Sequence, residues 1–179
     1  MVACILSIRA RDEVSLVAAQ RLFTAAGTPE AIAALTPEQI DRLIGDCSFH
    51  EAKAYQIREI AQAAVEVGGE QPCRQEALLE LRGVGPKCAH LALGIACGQQ
   101  HISVDIHVHR IVNRWGMVRE RTPEETMRAL QELLPAEFWI EINALLVPSG
   151  KHVCTGRLPA CSSCAVLEFC RQVGVEKYR

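Results

Sequence analysis

The 179-residue chain lacks any sustained stretch in which apolar and polar residues alternate with a period of two. That absence argues against a β-sheet, whose strands need such alternation together with β-branched enrichment. Long apolar runs are missing as well. The longest early one, residues 1–8, meets Arg9 and Arg11 at once and has no basic segment before it. It is too short for a bilayer-spanning helix and the wrong shape for a secretory signal. Nor is there an excess of positive charge: 19 Lys and Arg face 21 Asp and Glu, a net charge of −2 with a pI near 6.3. A globally basic surface for nucleic acid is therefore absent, although local patches can still steer a polyanion. Repeats and low-complexity segments are lacking too. With 49% hydrophobic and 22% charged residues the composition is that of a folded protein and excludes disorder.

Cysteine, by contrast, is plentiful, with nine in the chain. Without an export signal this points to a reducing, intracellular setting and to thiolate chemistry rather than disulfides. Cys4, Cys47, Cys73, Cys88 and Cys97 are scattered among apolar, helical segments. Cys154, Cys161, Cys164 and Cys170 are packed into one short stretch.

The remaining pattern is helical almost throughout. Thr36-Pro37-Glu38-Gln39 and Thr122-Pro123-Glu124-Glu125 each place a capping threonine before proline, with Gln or Glu three residues after it; Thr28-Pro29-Glu30 is a weaker version. Apolar faces are expected at Val14, Leu16, Val17 and Phe23, at Ile40, Leu43 and Ile44, and at Ile57, Ile60, Ala61 and Ala64, the last stopping at Gly68-Gly69. Further helices are expected over residues 75–81, 86–96, 108–115, 124–133 and 136–146. The fold class is all-α. The first apolar stretch starts at Met1 with no cap before it, which fits either a frayed first helix or sequence upstream.

Three segments carry chemistry. In Arg82-Gly83-Val84-Gly85-Pro86-Lys87 two glycines permit a tight turn, and Pro86 suits the first turn of a following helix. Free amides feeding a helix N-terminus make an anion site, and a plain helix connection is the alternative. Lys87 falls in that first turn, where a positive charge is disfavoured by about 0.3–1 kcal/mol. That suits an amine that must attack in its neutral form; a solvated or phosphate-binding lysine is the alternative. In Ser103-Val104-Asp105-Ile106-His107-Val108-His109-Arg110, Asp105 precedes a helix and reads as an N-cap, a role compatible with catalysis. His107 and His109 are two residues apart, so they do not share a helical face. Hydrogen bonds or phosphate contacts suit them better than metal ligation. The four clustered cysteines are separated by six, two and five residues, and can wrap one metal centre. Zinc and an iron–sulfur cluster both remain open on spacing alone.

Together, Leu6-Ser7 through Arg11-Asp12, the Gly-Val-Gly-Pro-Lys hairpin, Val-Asp-Ile-His, Asn113-Arg114 and the 6-2-5 cysteine spacing resemble the endonuclease III family of helix-hairpin-helix DNA glycosylases. The resemblance spans nearly the whole chain. It implies two all-α domains flanking a DNA-binding cleft: a six-helix barrel over residues 1–99 and a cluster domain over residues 100–179. It implies a [4Fe–4S] cluster on Cys154, Cys161, Cys164 and Cys170, structural rather than redox-active. It implies Lys87 as nucleophile and Asp105 as its catalytic partner, acting on double-stranded DNA that carries damaged bases or abasic sites. The expected function is removal of oxidised pyrimidines with β-elimination through a lysine Schiff base, by a monomer that binds no membrane. A mismatch glycosylase acting on thymine or uracil opposite guanine and a non-catalytic iron–sulfur DNA-binding module are the alternatives. DNA contacts are implied for Arg9, Phe49, Gly83, Val84, Gly85 and His107. Phe49 matches a loop position where the family inserts an apolar wedge, and Arg9 stands where several members carry a gap-filling glutamine. Two further departures are the single basic residue, Arg157, between Cys154 and Cys161, and Ser149 and Lys151 in place of a His-Gly-Arg run. The family also carries a helix ahead of the point where this chain begins.

Overall fold

A computed structural model describes all 179 residues and contains helices and connecting loops without strands. The chain divides into two compact units, Met1–Cys97 and Gly98–Arg179, each with its own apolar core. No helix is long and apolar enough to cross a membrane.

The first unit holds seven helices: α1 (Val2–Ser7), α2 (Asp12–Ala25), α3 (Pro29–Ala34), α4 (Pro37–Ile44), α5 (His50–Glu66), α6 (Gln75–Glu80) and α7 (Pro86–Cys97). The threonine starts form as their sequences require. Thr28 Oγ1 accepts from Ala31 N–H, and Thr36 and Gln39 complete a reciprocal capping box that satisfies two otherwise orphaned backbone groups. The central helix is α5, which packs against α1, α3 and α4. It buries Ile57, Ile60, Ala61 and Ala64 on one face. Fully burying one such isoleucine stabilises the fold by roughly 1.5–3 kcal/mol. On α2 the buried face differs from the expected one. Leu16, Val17 and Phe23 are exposed, while Ala18 and Leu22 enter the core. Residues 14, 18 and 22 recur at the four-residue spacing that lies on one helical side, and the larger apolar residues fall off that stripe.

The second unit holds α8 (Ile106–Trp115), α9 (Pro123–Leu133) and α10 (Glu141–His152), followed by a loop with two short 3₁₀ turns. Thr122 and Glu125 form the second capping box. Val108, Ile111 and Val112 of α8 pack with Leu130 of α9 and Leu146 of α10. The helix expected over residues 136–146 is instead a 3₁₀ turn, Ala136–Phe138, and then α10, which runs on through Pro148. Pro148 has no N–H to give the preceding turn. Beyond it α10 is held from outside, because Arg110 Nη2 donates to Gly150 O at 2.7 Å. Gly150 lies so close to His107 that an added Cβ would meet the imidazole, so only glycine lets α10 approach α8 there.

The expectation that every cysteine stays reduced is not met. Cys73, just before α6, and Cys97, the last residue of α7, form a disulfide with Cα atoms 5.7 Å apart. The α6–α7 hairpin brings its two open ends together, a proximity that a sequence separation of 24 conceals. Closing a loop of that length stabilises a fold by about 2–4 kcal/mol. Cys73→Ser should therefore lower the unfolding free energy by that amount in urea titration under non-reducing conditions, and an unchanged midpoint would contradict the clasp.

Candidate functional site

The α6–α7 hairpin is built tightly at one end and open at the other. Val84 N–H donates to Leu81 O at 3.1 Å, and the Val84 side chain is buried in the core. Arg82 N–H donates to Glu59 Oε1 at 3.1 Å, which ties the turn to α5. Gly83 has φ +80 and lies against Gln56, so both its backbone and its surroundings call for glycine. Gly85 is exposed, and a side chain added there would meet no protein atom within 4 Å. Space for an external backbone is therefore open at Gly85, while Val84 serves packing. Lys87, the second residue of α7 and two positions after Gly85, is half-buried. Next to it, Cys88 shares a hydrogen bond with Cys4 at the end of α7 that faces the core. That bond lowers the Cys88 thiol to about 7 and raises Cys4.

Arg9 and Phe49, 40 positions apart, are brought together. The Arg9 guanidinium lies 5.6 Å from the Phe49 ring centroid, within cation–π range. Both have left-handed backbones, φ 51 for Arg9 and φ 59 for Phe49. A bulky residue is uncommon there and costs of order 1–3 kcal/mol, which the surrounding structure must over-determine. The Phe49 ring is 60% exposed rather than in the core. His50, the first residue of α5, hydrogen-bonds through Nδ1 to Asp41 Oδ1 of α4 at 2.6 Å, anchoring the chain beside Phe49.

Asp105 is the N-cap of α8. Its Oδ1 accepts from His107 N–H at 2.8 Å and Val108 N–H at 3.0 Å. Those bonds fix the carboxylate at a helix N-terminus, where negative charge is favoured. The two histidines separate as their spacing requires. His107 Nδ1 accepts from Arg110 Nη2 at 3.1 Å, and His109 Nδ1 pairs with Thr126 Oγ1 of α9 at 2.7 Å. His109 thus joins α8 to α9 inside the unit, and His107 stays half-buried near the helix start.

Cys154, Cys161, Cys164 and Cys170 line one cavity, together with Arg114, Trp115, Val153 and Leu167. Two arginines missed by sequence reasoning as structural parts organise this loop. Arg110 Nε donates to Cys154 O at 3.0 Å. Arg114, one turn further along α8, donates to Thr155 O at 2.7 Å, Gly156 O at 2.8 Å and Cys154 Sγ at 3.3 Å. Their i, i+4 spacing is a legible signal for a shared face; what that face binds is not. Gln172 N–H donates to Cys170 Sγ at 3.4 Å, so two of the four sulfurs already receive N–H groups, as metal-bound thiolates do. No three of the four sulfurs converge as ligands of one ion.

Comparison with known proteins places these features. The model of the HhH-GPD superfamily of base excision DNA repair proteins matches residues 2–136. Endonuclease III of Thermotoga maritima is 40% identical over 171 residues, covering 95% of this chain and 80% of its own. The endonuclease III-like protein 1 of Bos taurus is 37% identical over 174 residues, covering 95% of this chain and 57% of its own. A solved non-covalent endonuclease III–DNA complex superposes with a TM-score of 0.86 at 29% identity, covering 96% of this chain and 81% of that one. A thermostable thymine-DNA glycosylase, at 22% identity and a TM-score of 0.82, shares the fold. The chain is thus a base excision DNA repair protein of the helix-hairpin-helix class. Within that class it belongs to the endonuclease III family.

The bond to Asp41 raises the His50 pKa above the usual 6.5. A raised value in the folded state means that the stabilisation is complete below pH 6.5 and is lost as the pH rises through the folded value. Proton NMR titration should show His50 titrating late, and Asp41→Asn should return it to the ordinary range. A His50 midpoint indifferent to that substitution would contradict the anchoring of the Phe49 turn.

Proposed function

We propose that this protein is a bifunctional DNA glycosylase and abasic-site lyase that removes oxidised pyrimidines, with Lys87 as its nucleophile. The observation that carries the reading is the position of Lys87 in the first turn of α7, two residues after the open Gly85 of the hairpin. Exposed Gly83 and Gly85 let a phosphate backbone approach the hairpin closely, and the α7 N-terminus favours its charge. The target nucleotide must leave the stack, because its glycosidic bond is out of reach inside a duplex.

The neutral amine of Lys87 then attacks the sugar C1′, and the C1′–N bond breaks with its electron pair leaving on the base. Asp105, oriented by its two cap bonds, stabilises positive charge developing on the sugar and helps take the amine proton. Ring opening gives an iminium between Nζ and C1′. Loss of the C2′ proton then expels the 3′ phosphate, which cuts the strand by β-elimination; water finally releases the lysine.

The cysteine loop fits an iron–sulfur cluster. Four thiols share one cavity, two receive N–H groups, and a guanidinium stands beside Cys154. Cys154, Cys161, Cys164 and Cys170 would hold a [4Fe–4S] group. Such a group supplies a cross-link that orders the loop after α10, and it takes no part in bond cleavage. Arg110 and Arg114 hold the loop's first residues to α8.

On a duplex with one abasic site, Lys87→Ala should lose strand cleavage by at least about a thousandfold, the scale of a nucleophile's contribution, while band-shift binding stays within a fewfold. Unchanged cleavage would remove Lys87 from the mechanism. Purified protein should be brown, with absorption near 400 nm that Cys161→Ser abolishes; a colourless, zinc-loaded protein would refute the cluster.

A further inference from the structure

The two arms of the α6–α7 hairpin are fixed unequally. On α7, Cys88, Ala89, His90, Ala92, Leu93 and Gly94 are all buried, so this arm is part of the core. The other arm, α6, has six residues and no side-chain cap, and a helix that short is not stable on its own in water. It buries Leu78 completely and leaves Leu79 39% exposed. The chain reaches it through an irregular segment, residues 67–74, in which Gly68 and Gly69 have left-handed backbones. Gln75 Oε1 pairs with His90 Nε2 of α7 at 3.2 Å, and the turn is tied to α5 through Glu59. To these the Cys73–Cys97 bridge adds a covalent tie at the base of the hairpin. Its two ends differ in access: Cys73 is exposed and Cys97 half-buried. A disulfide that solvent can reach is open to attack by an external thiolate, and such bridges are the labile ones in a reducing setting.

We propose that the Cys73–Cys97 bridge is a thiol–disulfide exchange site for a dithiol reductant, and that its closure sets how tightly the hairpin holds DNA. This role rests on the DNA-repair reading above. A thiolate of the reductant attacks the exposed Cys73 Sγ, the S–S bond breaks, and Cys97 leaves as a thiolate that takes up a proton. The reductant's second thiol then attacks the mixed disulfide, which frees the Cys73 thiol and leaves the reductant as its own disulfide. Two electrons have passed to the protein. A small disulfide in excess runs the same exchanges backwards and re-forms the bridge. The 12 residues of α7 span about 18 Å, so the sulfurs stand nearly a helix length from Gly85 and touch no phosphate there. Their effect is on order. With the bridge closed, α6 is pinned to α7 and the turn offers Gly83 and Gly85 in one arrangement. With the bridge open, a six-residue helix and an irregular segment are left to weaker ties, and the ordered hairpin becomes one conformation among several. DNA binds the ordered fraction, so apparent affinity falls in proportion to that fraction.

The test compares the affinity of one protein in two redox states. Protein purified without reductant is titrated onto a duplex carrying a tetrahydrofuran abasic-site analogue, which cannot form a Schiff base, before and after treatment with dithiothreitol. Both titrations use one salt concentration, because affinity for a polyanion depends steeply on salt. Peptide mass spectrometry should find Cys73 joined to Cys97 before treatment and two free thiols after it. Reduction should weaken binding by about tenfold, as an ordered fraction of about one tenth requires, and glutathione disulfide should restore it. Cys73→Ser should bind as the reduced wild type does and ignore dithiothreitol. If that variant does not fold, the reversible change in the wild type carries the test. A reduced wild type that keeps its affinity within about twofold, even with a lowered unfolding midpoint, would show a merely structural clasp and overturn the proposal. So would an equal loss on dithiothreitol in Cys73→Ser, which would place the sensitive group elsewhere, or free Cys73 and Cys97 thiols in protein purified without reductant. A clasped wild type that binds no duplex at all, by contrast, refutes the DNA-repair reading itself.

Discussion

An α-helix leaves its first N–H groups and last carbonyls without internal partners, and the candidate functional groups of this protein stand where those ends are satisfied. Asp105 caps the start of α8 with two hydrogen bonds on one oxygen. Lys87 lies in the opening turn of α7, and Phe49 precedes the opening turn of α5. Arg9 follows the end of α1, whose last carbonyls are taken by the buried Lys53. Cys154 follows the end of α10, where Arg110 and Arg114 collect the carbonyls of residues 150 and 154–156. Short helices multiply such ends, and each end fixes a side chain in one direction at small cost to the core.

The same constraint explains how a weakly acidic chain can meet a polyanion. Net charge is −2, so attraction has to be local. Helix N-termini supply fixed positive partial charge without lysine or arginine, and the exposed Gly85 permits close approach to one of them. Two of the arginines, Arg110 and Arg114, are committed to the cysteine loop. The chain thus favours placement of a few groups over a broad basic face. In its stability too, placement dominates. The left-handed Arg9 and Phe49 are strained conformations held by Lys53, and by the His50–Asp41 pair, from neighbouring helices.

Much of the fold was legible in the sequence because capping is local. The threonine-proline starts at 28, 36 and 122 formed as written, and α4, α5, α7 and α8 ended within two residues of their punctuation. Tertiary packing was less legible. On α2 large apolar residues face outward, since a six-residue α1 and an eight-residue α4 leave room for only a narrow stripe of it. The extension of α10 past Pro148 depends on an arginine 40 positions earlier. The Cys73–Cys97 bridge needs the hairpin to exist before the two thiols are neighbours. Among the candidate site residues, the types and positions of Lys87, Asp105 and the four cysteines were legible from motif and spacing. The stacking of Arg9 on Phe49 and the role of Lys53 were not. A lysine in the apolar stripe of a long helix gives no sign of which carbonyls it will find.

The central claim is that Lys87 is the amine that bonds to the sugar, and four lysines and an α-amino group are available in principle. Reducing the protein with borohydride on an abasic duplex, digesting the adduct and mapping it by mass spectrometry tests this most directly. The account predicts a reduced sugar on the peptide containing Lys87 and on no other. A modified Met1 amine, or an adduct on Lys151 or Lys177, would contradict it.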